Sequence, residues 1–392
     1  MNLKNYRNDI ISIGVTILLS AIIIIFSKSI GESGFLTDKY NKGTEYYEAQ
    51  VTEVAKEELK ADQYIEKVEL GYQNVKIKML EGPYKGKEYD IINNISRLYN
   101  FKVSKGTKVV ACMYFNEGNL NDIAITSYKR SHVLITLMAI FVIITILVGG
   151  FKGVKSILAL IFTLVCVIFL MMPLMIKGVN PILSAILIAI ISISITMTLV
   201  SGINKKTLAA ITGTFIGVIV AGIIAYGFGN WAHLSGITME DSESIMYIAE
   251  TTGLKVSGIL FAGILVASLG AVMDVAMSIS SSIFEIYDVN KKMTLKELFK
   301  SGMNIGRDII GTMTNTLVLA FAGGSITTMI LLYSANMWTT QLINLDILGT
   351  EVIQSLAGTI GIILTVPITA IISAYLCKTK IKDMKLSLIH IS

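Results

Sequence analysis

The residues best equipped for chemistry in this chain sit where a charge is least welcome. Apolar and small residues run without a charge from Ser257 to Asp274, and none follows until Glu285. A carboxylate near the centre of a membrane helix costs about 3 kcal/mol on insertion scales. A hydrogen bond between spans returns only about 0.6 kcal/mol on average, and Ser or Asn would supply one more cheaply. Asp274 therefore reads as a functional ionisable group. At helical spacing, Gly263, Ala267 and Gly270 lie above it, and Ser278, Ser281 and Glu285 below it, in one stripe. Small residues let helices approach closely, and the hydroxyls could carry water or a proton toward the interface. The opposite face, Ile264, Val272, Val275 and Ile279, is apolar and suited to lipid.

The next span, "MNIGRDIIGTMTNTLVLAFAGGSITT", supplies companions. Arg307 and Asp308 open it near the interface. Thr312, Asn315 and Thr316 continue a polar stripe that fades into Ala322, Gly323 and Gly324. A loop joins the two spans as antiparallel neighbours, which predicts Asn315 at the depth of Asp274, where its amide can donate to the carboxylate. Arg307 can neutralise Glu285 or Asp308, or form a solvated rim with Asp308. Gly263, Ala267, Gly270 and Gly323 are the expected helix-packing positions.

Other chemistries find little support. Cys112, Cys166 and Cys377 are scattered, and the three histidines are isolated, with neither C-x-x-C nor H-x-x-x-H spacing. No zinc site and no cofactor are expected. A hydrolase would need His or Cys near Ser278. An intramembrane aspartyl protease needs a second facing aspartate, for which Asp308 lies too near the interface, and no G-x-G-D motif occurs. Phosphate-cradling glycine loops are absent. No catalytic residue is expected, and the chain does not read as an enzyme.

The elements that must position these residues follow from composition. Of 392 residues, 53% are hydrophobic and 16% charged, with a mean hydropathy of +0.67; soluble domains carry roughly 25% charged residues. Apolar runs near 20 residues predict a mainly α-helical polytopic membrane protein of about eight spans. They lie near 10–28, 133–150, 157–175, 181–200, 208–228, 257–283, 309–333 and 353–376. Pro367 inside the last span predicts a kink. Lys and Arg mark cytoplasmic loops: Lys4 and Arg7, Lys152 and Lys155, Lys205 and Lys206, the cluster Lys291, Lys292, Lys296, Lys300 and Arg307, then Lys378, Lys380, Lys382 and Lys385. Alternate loops hold only Lys177 and Lys255, with Glu240, Asp241, Glu243 and Glu250 after the fifth span. Both termini are therefore expected in the cytoplasm of a cell-membrane protein. Segment 1–29 reads as an anchor, with a cleaved signal peptide as the alternative. "MTLKELFKSG" offers Thr294 and Glu297 as a capping box, and predicts a short amphipathic helix on the inner leaflet.

Residues 30–130 form the one large extracytoplasmic segment, balanced in charge, so the net +5 lies in the membrane half and loop orientation explains it. A nucleic-acid partner is not expected. "YYEAQVTEV", "VELGYQNVKIKML", the turn and strand "EGPYKGKEYDI", "GTKVVACMYF" and "DIAITSY" read as five short strands, a small β-barrel or sandwich with OB-like architecture. Val75, Ile77 and Met79 mark its inward face.

"GAVMDVAMSISSSIFEI" followed by "SGMNIGRDIIGTMTNTLVLAFAGGSI" resembles the signature of the YibE/F-like family of bacterial membrane proteins. The resemblance extends over an N-terminal anchor, a β module with "GPYKGKEYDIINN", and a helical bundle at 131–385. It implies a permease-like membrane protein without an assigned activity. The matching positions are Asp274, Ser278, Ser281, Glu285, Asn304, Gly306, Arg307, Asp308, Asn315 and Gly323; the resemblance attaches no role to them. "LSLIHIS" at 386–392 reads like translated sequencing adapter, so a different natural ending is expected after about Lys385.

Two functions compete at this level. The first is a permease or transporter with a polar path between the sixth and seventh spans, carrying a small molecule or ion. The second is a receptor or accessory subunit whose β module binds an envelope protein. The bilayer is the certain partner, and assembly as a homo-oligomer is a further expectation.

Overall fold

A computed structural model describes residues 3–30, 43–116, 119–234 and 242–379. Glu240, Asp241, Lys380, Lys382, Lys385, the 386–392 tail and the Lys4 and Arg7 side chains lie outside the described part. The chain divides into two compact units, 32–147 and a second made of 1–31 with 148–392.

The smaller unit holds five strands: β1 (Thr44–Ala61), β2 (Glu69–Met79), β3 (Glu88–Ile95), β4 (Lys108–Asn116) and β5 (Asn119–Tyr128). They form one antiparallel sheet in the order β3-β2-β1-β4-β5, curled into a half-barrel. All five expected strands are present, and β1 runs on through the charged "AKEELKA", paired with β2 across two bulges. Period-2 alternation explains the core: Val51, Val75, Ile77, Met79, Val109, Ala111 and Met113 are all at most 2% exposed. The buried amides of Gln73 and Asn93 are hydrogen-bonded to each other and to the backbone. Gln73 donates to Val103 O (3.0 Å) and Glu57 (2.7 Å), and accepts from Val103 N (2.9 Å) and Asn93 (3.2 Å), which ties the β3–β4 connection to the sheet.

The larger unit is helical, with α2 shared across the boundary. The helices are α1 (Leu3–Ile30), α2 (Ser131–Cys166), α3 (Met172–Ile176), α4 (Pro181–Ser201), α5 (Lys205–Trp231), α6 (Ser242–Thr251), α7 (Ile259–Val289), α8 (Leu295–Gly324), α9 (Ile326–Ser334), α10 (Thr339–Ile343) and α11 (Asp346–Lys378). A π-helical stretch, Val167–Met171, joins α2 to α3. Local chemistry sets several starts. Asn180 and Asn204 accept from the backbone N–H of Ile182 and Thr207, and Thr294 with Glu297 completes the expected capping box of α8. Among the described residues, six helices are long and apolar enough to cross a membrane; α8 with α9, bent by 61°, makes a seventh.

The second and third expected spans meet within α2 at a break at Gly150 (φ 56°, ψ −138°), a conformation that glycine tolerates. Two sequence expectations change. Lys155, assigned to a loop, is a buried residue of α2. The separate amphipathic helix does not form: "LKELFKSG" is the first part of the continuous α8, which contains no Pro and runs on through Gly302, where the helix packs against Ile283 and Ala370. Pro367 lies within α11, which stays a single helix through it.

The core packs α7 against α4, α5, α8 and α11, and packs α5 and α8 against α11. Its tightest seam is built from small residues. Along α5, Ala209, Gly213, Gly217, Ala221 and Ala225 recur every fourth residue, and Gly361, Thr365, Thr369 and Ser373 do so along α11. The two ladders meet in antiparallel register. A Cβ at Gly213 would overlap the Thr369 hydroxyl, one at Gly217 the Thr365 hydroxyl, and one at Gly361 would stand 2.6 Å from the Ala221 Cβ.

Candidate functional site

Asp274 is the middle residue of the 31-residue α7, about 22 Å along the axis from either end at 1.5 Å per residue. Gly263, Ala267, Gly270, Asp274, Ser278 and Glu285 are exposed, and Ser281 is half-buried. The expected stripe is thus one continuous strip of the surface. Its counterpart reverses the sequence expectation: Ile264, Val272, Val275 and Ile279 are at most 1% exposed and form core, not a lipid face. The reason is position. Helices on several sides enclose α7, so its apolar residues pack against protein and only the small and polar stripe is left uncovered.

The α8 side follows the same rule. Leu298, Gly302, Gly306 and Leu317 are buried, whereas Asn304, Arg307, Asp308, Gly311, Thr312, Asn315 and Gly323 are exposed. Glycine contacts fix the register of the pair. A Cβ at Gly302 would meet Ile283 and Ala370, and one at Gly306 would meet Val366 and Ile279. Continuing that antiparallel register places Gly311 level with Asp274, and Arg307 level with Ser278. Asn315 is therefore about one turn, or 6 Å, beyond Asp274, so the two do not share a depth as expected. Asp308 falls level with Met277, deeper than the interfacial position its sequence neighbours implied, because α8 begins at Leu295.

The side chains of Asp274, Glu285, Arg307, Asp308 and Asn315 make no hydrogen bond or ion pair with other described residues. Thr312 and Thr316 donate back to their own helix, to Ile309 O (3.1 Å) and Thr312 O (2.9 Å). Gly263, Gly270, Gly311 and Gly323 have nothing within 4 Å of an added Cβ. Within this chain the close helix approaches are made instead by Gly213, Gly217, Gly302, Gly306 and Gly361. Their four-residue spacing is visible in the sequence, and it is the signal that would have found them.

At the Val289 end of α7 the stripe runs into a cavity of roughly 270 Å³ lined by Asn204, Lys205, Lys206, Phe284, Glu285 and Asp288. The start of α5 holds its shape. Asn204 caps α5, Lys205 donates to Thr379 O (2.9 Å), and Ser280 donates to Lys206 O (2.8 Å). This mixed-charge mouth joins the foot of the stripe to a loop that sequence spacing could not bring beside it. Among the described residues no group of three His, Cys, Asp or Glu gathers as metal donors, and the three cysteines are buried free thiols.

A second surface lies on the β unit, in the β1–β2 and β3–β4 connections. Tyr64 and Leu98 are each 81% exposed there, beside exposed Ile65 and Tyr99. The two loops that carry them are tied together. Asp62 accepts from the backbone N–H of Tyr64 (2.7 Å) and Ile65 (2.9 Å), and pairs with Arg97 (2.5 Å), whose guanidinium stands 5.3 Å from the Tyr64 ring centroid. The Arg97 guanidinium, followed by the Tyr64 N–H, holds the Asp62 carboxyl down at about 2. A lowered folded pKa stabilises above the ordinary aspartate range and is lost as pH falls through that value, so the tip keeps its form at any neutral or mildly acidic pH.

No curated relative and no solved structure matches the chain. The YibE/F family N-terminal domain matches residues 44–128, which are the five strands. The YibE/F-like protein model matches residues 137–379, from the apolar part of α2 to the end of α11, and so takes in Asp274 and the whole α7–α8 face. With both parts matched in order over most of its length, the chain belongs to the YibE/F family.

Proposed function

We propose that this protein is a permease-like component of the cell membrane, without catalytic activity, in which the α7–α8 face forms one wall of a polar path for an ion or small molecule. The observation that supports it most is Asp274: a carboxylate at mid-helix on a strip of small and polar residues that ends in the charged mouth around Glu285. Counting Gly150 as a turn between two spans, and α8 with α9 as one, gives eight crossings. Both termini and the Lys205–Lys206 and Lys291–Lys292 loops are then cytoplasmic by the positive-inside rule, and the β unit is extracytoplasmic.

Asp274→Asn is expected to bring flux in proteoliposomes down to background, because the amide cannot change charge as a proton or cation binds and leaves. Proton flux is read with an entrapped pH-sensitive dye, and Na⁺, K⁺ and Mg²⁺ are tested in turn. Wild-type flux in a variant that elutes and melts like the parent would remove Asp274 from the mechanism.

The β-unit tip favours a second reading, a receptor or accessory subunit. Apolar side chains held rigid and exposed in an aqueous compartment suit a protein partner. Tyr64→Ser with Leu98→Ser would then abolish co-purification of an envelope protein while the bundle remained inert in flux assays.

A further inference from the structure

Among the described residues of the helical unit nothing covers the α7–α8 face, and a lipid surface suits it poorly. Asp274 on α7, with Arg307 and Asp308 on α8, occupies depths within about one turn of one another, all exposed and without partners among the described residues. In hydrocarbon each such group costs about 3 kcal/mol. Another exposed apolar helix, the 131–149 arm of α2, could not neutralise them. It carries no Asp, Glu, Lys or Arg, and its two threonine hydroxyls are spent on their own helix, Thr136 to His132 O and Thr145 to Phe141 O.

A second copy of the chain has what the face lacks. Two copies in one membrane share an orientation, so their two-fold axis lies along the bilayer normal and every residue meets partners at its own depth. In an isologous contact the same patch serves both sides, and this patch holds a cation and carboxylates at nearly one level. Arg307 of each copy thereby reaches the acidic residues of the other. Gly263, Gly270 and Gly311, open to space within the chain, supply the close backbone approach that packing between membrane helices requires.

We infer that the protein assembles as a parallel homodimer through the α7–α8 face, with Arg307 of one copy set against Asp274 and Asp308 of the other. The inference rests on this face lying at bilayer depth and not on transport, so the flux result with Asp274→Asn and the assembly result stand separately.

Disulfide cross-linking in native membranes tests it. Gly270→Cys and Ser278→Cys should each give a covalent dimer of twice 42.7 kDa on mild oxidation. The parent, whose three thiols are buried, and Ile223→Cys on the exposed side of α5 should stay monomeric. Arg307→Asp should lower the yield about tenfold, the effect of losing a charge pair worth about 1.4 kcal/mol, and Arg307→Asp with Asp308→Arg should restore it. Both α7 thiols remaining monomeric in protein that elutes and melts normally would overturn the inference. So would an adduct of any other mass, which would assign the face to a different protein, or a dimer indifferent to charge at 307.

Discussion

Leucine in place of Gly217 is expected to leave little folded protein in the membrane. Gly217 lies where α5 crosses α11, and a Cβ there would overlap the Thr365 hydroxyl while standing 3.0 Å from Val272 Cγ1 of α7. Neither neighbour can retreat. Thr365 is fully buried and donates to Gly361 O at 2.7 Å, and Val272 is fully buried in the core behind it. Overpacking a core by a few methylenes costs about 1–3 kcal/mol. Here three helices meet with no free rotamer, so the upper end of about 3 kcal/mol applies, a large part of the stability of most folded domains. Gly227→Leu is the control: it lies on the same helix, exposed, with nothing within 4 Å of an added Cβ. Thermal unfolding in detergent should show a lost or strongly lowered transition for Gly217→Leu and an unchanged one for Gly227→Leu. Equal melting temperatures would mean that the α5–α11 seam does not limit stability.

The same seam shows what the sequence could and could not disclose. Ala209, Gly213, Gly217, Ala221 and Ala225 repeat at four-residue spacing in plain view, yet hydropathy scores the segment only as another span, since small residues are apolar enough to pass. Patterns settled by neighbours in the chain were legible. Thr294 and Glu297 cap α8 as read, and Val75, Ile77 and Met79 alternate into the β core as read. Facing was not legible. Inside a bilayer, lipid and protein interior are equally apolar, so Ile264, Val272, Val275 and Ile279 look alike whether they meet acyl chains or α5. The stripe through Asp274 was recognisable as a stripe, but its direction depended on how many helices surround α7. Depth was legible only where an element's start was: joining "LKELFKSG" to α8 moved Asp308 inward and shifted Asn315 past Asp274. Lys155 shows the limit most clearly, because its partner lies 146 residues away.

That partner is Asp9 of α1, and breaking the pair should detach the first helix. Lys155 Nζ lies 2.5 Å from Asp9 Oδ1, with the lysine side chain 7% exposed and the aspartate 30%; the ammonium also stands 5.4 Å from the Phe151 ring centroid. Other attachments of α1 are thin. It touches α3, α4 and the π-helical stretch, it buries Thr16 and Ser27, and much of its apolar surface, including Ile10, Ile17, Leu18 and Ile25, is exposed. Removing one member of a buried pair strands the other charge, at about 3–5 kcal/mol. The partial exposure of Asp9 places Asp9→Asn near the lower end, at about 3 kcal/mol, and Lys155→Met should cost less because the carboxylate that it leaves behind still reaches water. Exchanging the charges, Asp9→Lys with Lys155→Asp, should recover most of the loss. A double-mutant cycle on thermal or chaotrope unfolding in detergent measures the coupling, and protease protection of a tag before α1 reports its detachment. The pairing also bears on the alternative of a cleaved leader: if Lys155 needs Asp9, the purified protein must keep α1, and intact mass should include it. A mature protein that lacks α1 yet melts as the full chain does would show that Lys155 finds its counter-charge elsewhere.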